Sequence, residues 1–176
     1  VQSYNEKNAF KETAGGYGSG YCYIDGLAFD KNGNLWMTSS EVNHAVLVLD
    51  KAGAWHRLDI EQLRGVYTIN DILITSTNDK WIYVPRNTPK LVMIPNSESL
   101  DEVSSYEFTT LIDTDGKELT PSNYTCVAED KDGYIWVGTN RGAVYFTKPR
   151  ISSAEDKAAT RCTRVKYTNE ETGNLA

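Results

Sequence analysis

Two short segments place carboxylates beside glycine in a way that invites a cation. They are Asp113-Thr114-Asp115-Gly116 and Asp130-Lys131-Asp132-Gly133. A calcium loop of the EF-hand kind needs ligands at positions 1, 3 and 5, Gly at position 6 and Glu at position 12. In both segments Gly arrives at position 4, so they read as reverse turns and no metal site is expected. The two histidines, His44 and His56, sit in no nucleophile or metal motif: neither Gly-x-Ser-x-Gly nor His-Glu-x-x-His occurs. Catalytic carboxylate pairs are drawn from distant segments and leave no local signature; nothing here singles one out. Cys22, Cys126 and Cys162 are far apart and form no Cys-x-x-Cys pair, so zinc is not expected. Cys126 stands among apolar residues and reads as a small buried hydrophobe. The expectation is of no catalytic residue and no cofactor.

Recognition is better supported by residue type. The chain holds 11 Tyr and 4 Trp in 176 residues. Gly15-Gly16-Tyr17-Gly18-Ser19-Gly20-Tyr21-Cys22-Tyr23 is a glycine-rich, tyrosine-bearing connection. If the inter-strand connections gather on one face, that face carries Tyr17, Tyr21, His44, Arg64, Tyr67, Arg86, Asn87, Asn123 and Arg141. Tyr rings beside Arg and Asn suit a sugar or a peptide. Solvated loops with packing tyrosines fit the same residues, and the sequence leaves both readings open.

The elements that must position these residues are strands. Gly26-Leu27-Ala28-Phe29-Asp30-Lys31-Asn32-Gly33-Asn34-Leu35-Trp36-Met37-Thr38 returns 100 residues later as Cys126-Val127-Ala128-Glu129-Asp130-Lys131-Asp132-Gly133-Tyr134-Ile135-Trp136-Val137-Gly138. A degenerate copy around Trp81 lies between them. Asn32-Gly33 and Asp132-Gly133 predict two-residue type I′ hairpin turns, with Asn78-Asp79 a weaker version. The flanking runs are short and rich in Val, Ile, Tyr, Thr and Trp, as strands are. Further strands are expected at 45–50, 55–58, 90–95, 106–110, 143–146 and 161–167, and one at 1–4. Short helical turns are expected at 59–63 and, from the capping-box spacing of Ser152 and Glu155, at 152–159.

Four antiparallel strands in about 50 residues, repeated, describe the blades of a β-propeller. The fold class expected is all-β, a partial propeller of about three four-stranded blades. The blades fall at 24–58, 67–110 and 124–167, the last with an insertion at 149–160. Residues 1–23 form the end of a preceding blade and its connection. Trp36, Trp81 and Trp136 are expected to make equivalent contacts between blades. Three blades do not close a ring, since propellers have about 4–8. Further blades beyond these residues, or self-association through the open blade edges, are therefore expected.

Charge narrows the partners. A formal net charge of −6 argues against a nucleic-acid surface, which needs clustered Lys and Arg. No apolar run approaches the ~20 residues of a membrane-spanning helix, so no membrane insertion by this segment is expected.

The pattern Asp-x-x-Gly-x-aliphatic-Trp-aliphatic-Gly-Thr resembles the two-component-regulator propeller repeat. Residues 130–142 follow it closely, and residues 30–38 follow it with Met37 in place of Gly. The unit at Trp81 lacks the Gly. WD repeats fit less well, because no Gly-His or Trp-Asp dipeptide is present. The Asp box of sialidases has its Asp two residues before the Gly, whereas here the interval is three. The resemblance implies a periplasmic or cell-surface location and a recognition role rather than catalysis, with an enzyme of propeller architecture as the third reading. One form of that role is the periplasmic sensor region of a hybrid two-component histidine kinase responding to an oligosaccharide. The other is the surface propeller component of the type IX secretion system, binding a surface protein. Any kinase core would be encoded outside these residues.

Overall fold

The computed structural model describes residue 4 and residues 22–166. The expected strand at 1–4, apart from Tyr4, and the loop tyrosines Tyr17 and Tyr21 lie outside the described residues. The chain is a partial β-propeller built from three sheets of four antiparallel strands. The first sheet holds β1 (Gly26–Phe29), β2 (Leu35–Thr38), β3 (Val46–Leu49) and β4 (Trp55–Leu58). The second holds β5 (Ile72–Ile74), β6 (Lys80–Val84), β7 (Lys90–Ile94) and β8 (Tyr106–Phe108). A small hairpin, β9 (Leu111–Ile112) and β10 (Glu118–Leu119), precedes the third sheet. That sheet holds β11 (Tyr124–Glu129), β12 (Ile135–Thr139), β13 (Gly142–Phe146) and β14 (Cys162–Arg164). Each sheet runs as a meander in sequence order.

The turns differ from the type I′ expectation. In residues 30–34 the Asp30 N–H donates to Asn34 O at 2.9 Å, and the Gly33 N–H donates to Asp30 O at 3.1 Å. The same two bonds close residues 50–54, 75–79, 113–117 and 130–134. These are three-residue loops whose last member takes positive φ: Gly33 at 85°, Gly133 at 80°, and Asn78 at 69° in the degenerate copy. Asn32 and Asp132 are not in that region. Their neighbours decide this, because the Asp that opens the loop accepts the backbone N–H groups two and four residues on. Asp30 Oδ1 takes Asn32 N and Asn34 N at 2.9 and 2.8 Å, and Asp130 Oδ1 takes Asp132 N and Tyr134 N at 2.9 and 3.0 Å. An Asp side chain bonding its own backbone in this way favours a type I turn followed by a left-handed residue.

Alternation then sends side chains to opposite faces. Trp36, Val46 and Val48 from the first sheet meet Ile72, Ile82, Val84, Val92 and Ile94 from the second. Trp81, Tyr83, Leu91 and Met93, on the second sheet's other face, meet Ile135, Val137, Val144 and Phe146 from the third. Trp36 and Trp81 are each 1% exposed. Trp136 occupies the same strand position but is only half-buried, packed against Tyr145 at 4.9 Å between ring centroids. No sheet follows it among the described residues, so the three tryptophans are equivalent in position and unequal in burial.

Close approach of the innermost strands requires Gly26. A Cβ there would lie 2.8 Å from Ile72 N and 2.9 Å from Asp71 Cα. Cys126, by contrast, is exposed. It faces the uncovered side of the third sheet, which corrects the expectation of a buried thiol. Cys162 is the buried one. The helical turns form as a 3-10 turn at Glu61–Leu63 and as α1 (Ala154–Ala159). The cap of α1 is Ser153, whose hydroxyl accepts from Asp156 N at 3.1 Å, one residue later than the expected box. The β9–β10 hairpin was not anticipated. It lies along β14: Thr114 N donates to Cys162 O at 3.0 Å, and Arg164 Nε stands 2.7 Å from Asp113 Oδ2. The latter is an ion pair not aligned as a hydrogen bond. The hairpin thereby shields an outer edge strand that would otherwise offer free backbone groups.

Candidate functional site

The strands β1, β5 and β11 are innermost, and all start at one end of the sheets. The β2–β3, β6–β7 and β12–β13 loops lie at that end, as do the connections between sheets. The sequence-derived loop residues that are described all map there, but they form two clusters. In the first, Arg64 forks onto Asp59, with Nε donating to Oδ1 at 2.7 Å and Nη2 to Oδ2. His44 is half-buried close by, and its field, after the Arg64 bond, helps to hold the Asp59 carboxyl below its usual range. Tyr67 stands on the same connection, 61% exposed. In the second cluster, Asn140 N donates to Asn123 O at 3.1 Å, and Asn140 Oδ1 accepts from Ser122 N and Asn123 N. Arg141 is exposed beside it, with its N–H on Thr139 Oγ1 at 3.0 Å. Arg86 and Asn87 are exposed on the β6–β7 loop, Asn87 at φ 68°. The first cluster sits between the first and second sheets, the second between the second and third, where Tyr124 N donates to Pro85 O at 3.0 Å.

Closer to the inner strands lies a set that the loop reasoning missed. Asp25, Gly26, Asn70, Asp71 and Tyr83 line an open cavity of about 360 Å³. A belt of hydrogen bonds runs beneath it across all three sheets. Asp25 N donates to Thr38 O at 3.0 Å, and Thr38 Oγ1 donates to Asn70 O at 3.0 Å. Asn70 N donates to Tyr83 O at 3.1 Å, and Asn70 Nδ2 donates to Tyr83 Oη at 3.1 Å. Tyr83 Oη in turn donates to Thr125 O at 3.2 Å. Ser40 Oγ donates to Asp25 Oδ2 at 2.7 Å and accepts Ile69 N at 2.8 Å. Burial pushes the Asp25 carboxyl up, and the Ser40 bonds offset this only in part.

A signal for these residues does exist in the repeat. Asp25, Asn70 and Thr125 occupy one register position, and Thr38, Tyr83 and Gly138 another. At these positions the copies carry Asp, Asn and Thr in the first set and Thr, Tyr and Gly in the second, while the core positions stay apolar. The resulting surface offers carboxylate and amide acceptors, an amide donor and a phenol around a concave space. It is equipped to hydrogen-bond a polyhydroxylated or peptide ligand.

Residues 118–141 match the model of the two component regulator propeller. The match covers β10 to the β12–β13 loop and includes the turn opened by Asp130 and the strand bearing Trp136. The described sheets are those of a propeller elsewhere as well. The fold is similar to that of PorZ, a surface component of the type-IX secretion system of Porphyromonas gingivalis, with a TM-score of 0.81 and 16% identity. That likeness covers 100% of this chain and 24% of PorZ. A second solved structure is an extracellular domain assigned to a hybrid two component system of B. thetaiotaomicron. It has a TM-score of 0.57 and 14% identity, over 99% of this chain and 22% of the other. The chain thus spans about a quarter of the length of each. Comparison with curated proteins returns no match. No helix among the described residues is long and apolar enough to cross a membrane.

Proposed function

We propose that this chain is a non-catalytic recognition module of an extracytoplasmic protein, and that it binds an oligosaccharide at the end of the sheets where the inner strands begin. The observation that carries this reading is the cavity lined by Asp25, Asn70, Asp71 and Tyr83 above a hydrogen-bond belt that joins all three sheets. A ligand held there touches groups fixed to the first and second sheets at once. Its binding free energy then acts on their relative placement, which is what a sensor needs in order to bias a downstream domain. The periplasmic sensor region of a two-component protein is the leading context.

A second context, a cell-surface adaptor of a secretion system, is supported by the fuller structural likeness to PorZ. In that case the same end, with Tyr67, Arg86 and Arg141, would meet a surface protein. Binding of neutral oligosaccharides, screened on a glycan array and measured by calorimetry, separates the two. The sensor reading expects a hit that weakens about tenfold or more in Tyr83→Phe or Asp71→Asn, with far-ultraviolet circular dichroism unchanged. No hit with any glycan, together with capture of a surface protein that Arg86→Ala or Arg141→Ala abolishes, overturns it in favour of the adaptor.

A further inference from the structure

At the opposite end of the sheets the three-residue loops of neighbouring blades approach one another, and the two junctions differ. Between the first and second sheets the junction is plugged. Lys31 N donates to Asn78 Oδ1 at 2.9 Å, Lys31 Nζ donates to Ser76 O, and Asn78 Nδ2 donates to Asn96 Oδ1 at 2.9 Å. Asn78 is the left-handed last residue of its loop. Between the second and third sheets that last residue is Gly133, which has no side chain to insert. The space stays open as a groove of about 260 Å³ between residues 75–79 and 131–133, closed on one side by residues 148–150.

The charge on this groove is unevenly committed. Glu129 is engaged, its two oxygens accepting from Ser76 N and Ser76 Oγ at 2.5 Å each. Asp79 is engaged likewise, with Asn96 N at 2.8 Å and Thr77 Oγ1 at 2.5 Å. Lys131, Lys148 and Arg150 line the same groove, and among the described residues none of them makes an ion pair. Asp132 is the one lining carboxylate without such a commitment. The lining thus holds three cations and three carboxylates, but Glu129 and Asp79 have oxygens occupied by neutral donors while the charged donors of Lys131, Lys148 and Arg150 stay free. Around a concavity just under the ~300 Å³ of the smallest common ligand pockets, those free donors favour a small anion.

We propose that this groove is a second binding site, distinct from the loop-end cavity, that takes an organic anion of sugar-acid size through Lys131, Lys148 and Arg150. The carboxylate of such a ligand meets charge-assisted donors, and its hydroxyls meet the loop hydroxyls of Ser76 and Thr77. Selectivity for charge comes from the cations. Selectivity for size comes from the space that Gly133 leaves.

The test is calorimetric titration of the protein with D-glucuronate, D-glucose and inorganic sulfate at low and high salt. Glucuronate is expected to bind, to weaken with added salt, and to bind about tenfold or more tightly than glucose. Lys148→Ala and Arg150→Ala should each lower the affinity several-fold. Gly133→Asn should abolish it. That substitution copies Asn78, tolerates positive φ, and places its Cβ no closer than 3.6 Å to its neighbours, so the fold is retained. Tyr83→Phe, at the other end, should leave glucuronate binding unchanged. Glucose binding as tightly as glucuronate, sulfate binding without glucuronate, or full affinity in Gly133→Asn would each overturn the proposal.

Discussion

Trp36 Nε1 donates to Asp30 Oδ2 at 2.9 Å, and Trp136 Nε1 donates to Asp130 Oδ2 at 2.7 Å. In both copies the other carboxylate oxygen holds the backbone of the turn. One Asp therefore sets the loop conformation and anchors the inter-blade tryptophan six residues later. This is the physical content of the Asp-x-x-Gly-x-aliphatic-Trp pattern. The middle copy keeps the interval of six between Thr75 and Trp81 but has a hydroxyl in place of the carboxylate. Thr75 Oγ1 accepts Asp79 N at 3.0 Å, so the turn survives the substitution.

Removing the anchor should cost more in the first blade than in the third. Asp30 is buried and serves four donors: Asn32 N, Asn34 N, Asn34 Nδ2 and Trp36 Nε1. Asp30→Ala leaves them without a partner beside Trp36 and is expected to destabilise by roughly 3 kcal/mol. Asp130→Ala, at a more exposed turn, should cost less. Urea unfolding of both variants decides the matter, and an equal loss would mean that burial does not set the value of this bond.

The same carboxylates set the acid limit of stability. Burial tends to raise the Asp30 carboxyl, but bonds from Trp36, Asn34 and Asn32 outweigh it and hold it below the usual range. Asp130 is held down first by the Trp136 indole and then by backbone N–H groups. A carboxyl depressed in the folded state stabilises above its unfolded pKa of about 4 and loses that contribution as pH falls through the folded value. Asp25, raised by burial, runs the other way and favours the fold in its protonated form. The melting temperature should therefore fall steeply below about pH 4. In Asp30→Asn the slope should be shallower; an unchanged slope would place the acid sensitivity elsewhere.

Most of the architecture was legible because propeller blades repeat. An Asp-Gly loop and a Trp six residues after the Asp recur at fixed register, so three meandering sheets could be read without any single decisive residue. The turn type was misread because dipeptide preference alone favours type I′ at Asn32-Gly33, whereas the preceding Asp30 bonds the backbone and selects the longer loop. Cys126 was misread because strand alternation cannot say which face a further sheet will cover. The site was the least legible part. Loops that share an end of the sheets can be listed from the sequence, but Asp25, Asn70 and Tyr83 meet only through the packing of inner strands that Gly26 permits.

His56 joins two blades at their outer edge. Its Nε2 stands 3.0 Å from Asp50 Oδ2, and its Nδ1 stands 3.3 Å from Asp101 Oδ1 on the connection after β7. The Asp50 bond, followed by the smaller Asp101 bond, raises the imidazole above its ordinary value against the effect of burial. A histidine raised in the folded state contributes fully below the unfolded pKa of about 6.5, and that contribution disappears as pH rises through the folded value. The melting temperature should decline between about pH 6 and pH 8. His56→Gln should flatten the decline, and Asp101→Asn should reduce it. A decline that persists in His56→Gln would show that another group titrates there.

The two tryptophans at Trp81 and Trp136 test whether the inter-blade contact is the main store of stability. Trp81 is 1% exposed and lies against Phe108 and Phe146, with ring centroids 5.9 and 5.6 Å away. Those two rings also pack on each other at 5.9 Å. Truncating Trp81 opens a cavity bounded by two sheets that cannot collapse without breaking strand register, so Trp81→Ala is expected to cost about 3–5 kcal/mol. Trp136 has Tyr145 on its own sheet and no facing sheet among the described residues, so Trp136→Ala removes less buried area and should cost less than half as much. Chemical denaturation of the two variants reads the difference directly. Similar losses would show that the bond to Asp130 and the contact with Tyr145, rather than burial between blades, account for the worth of the indole.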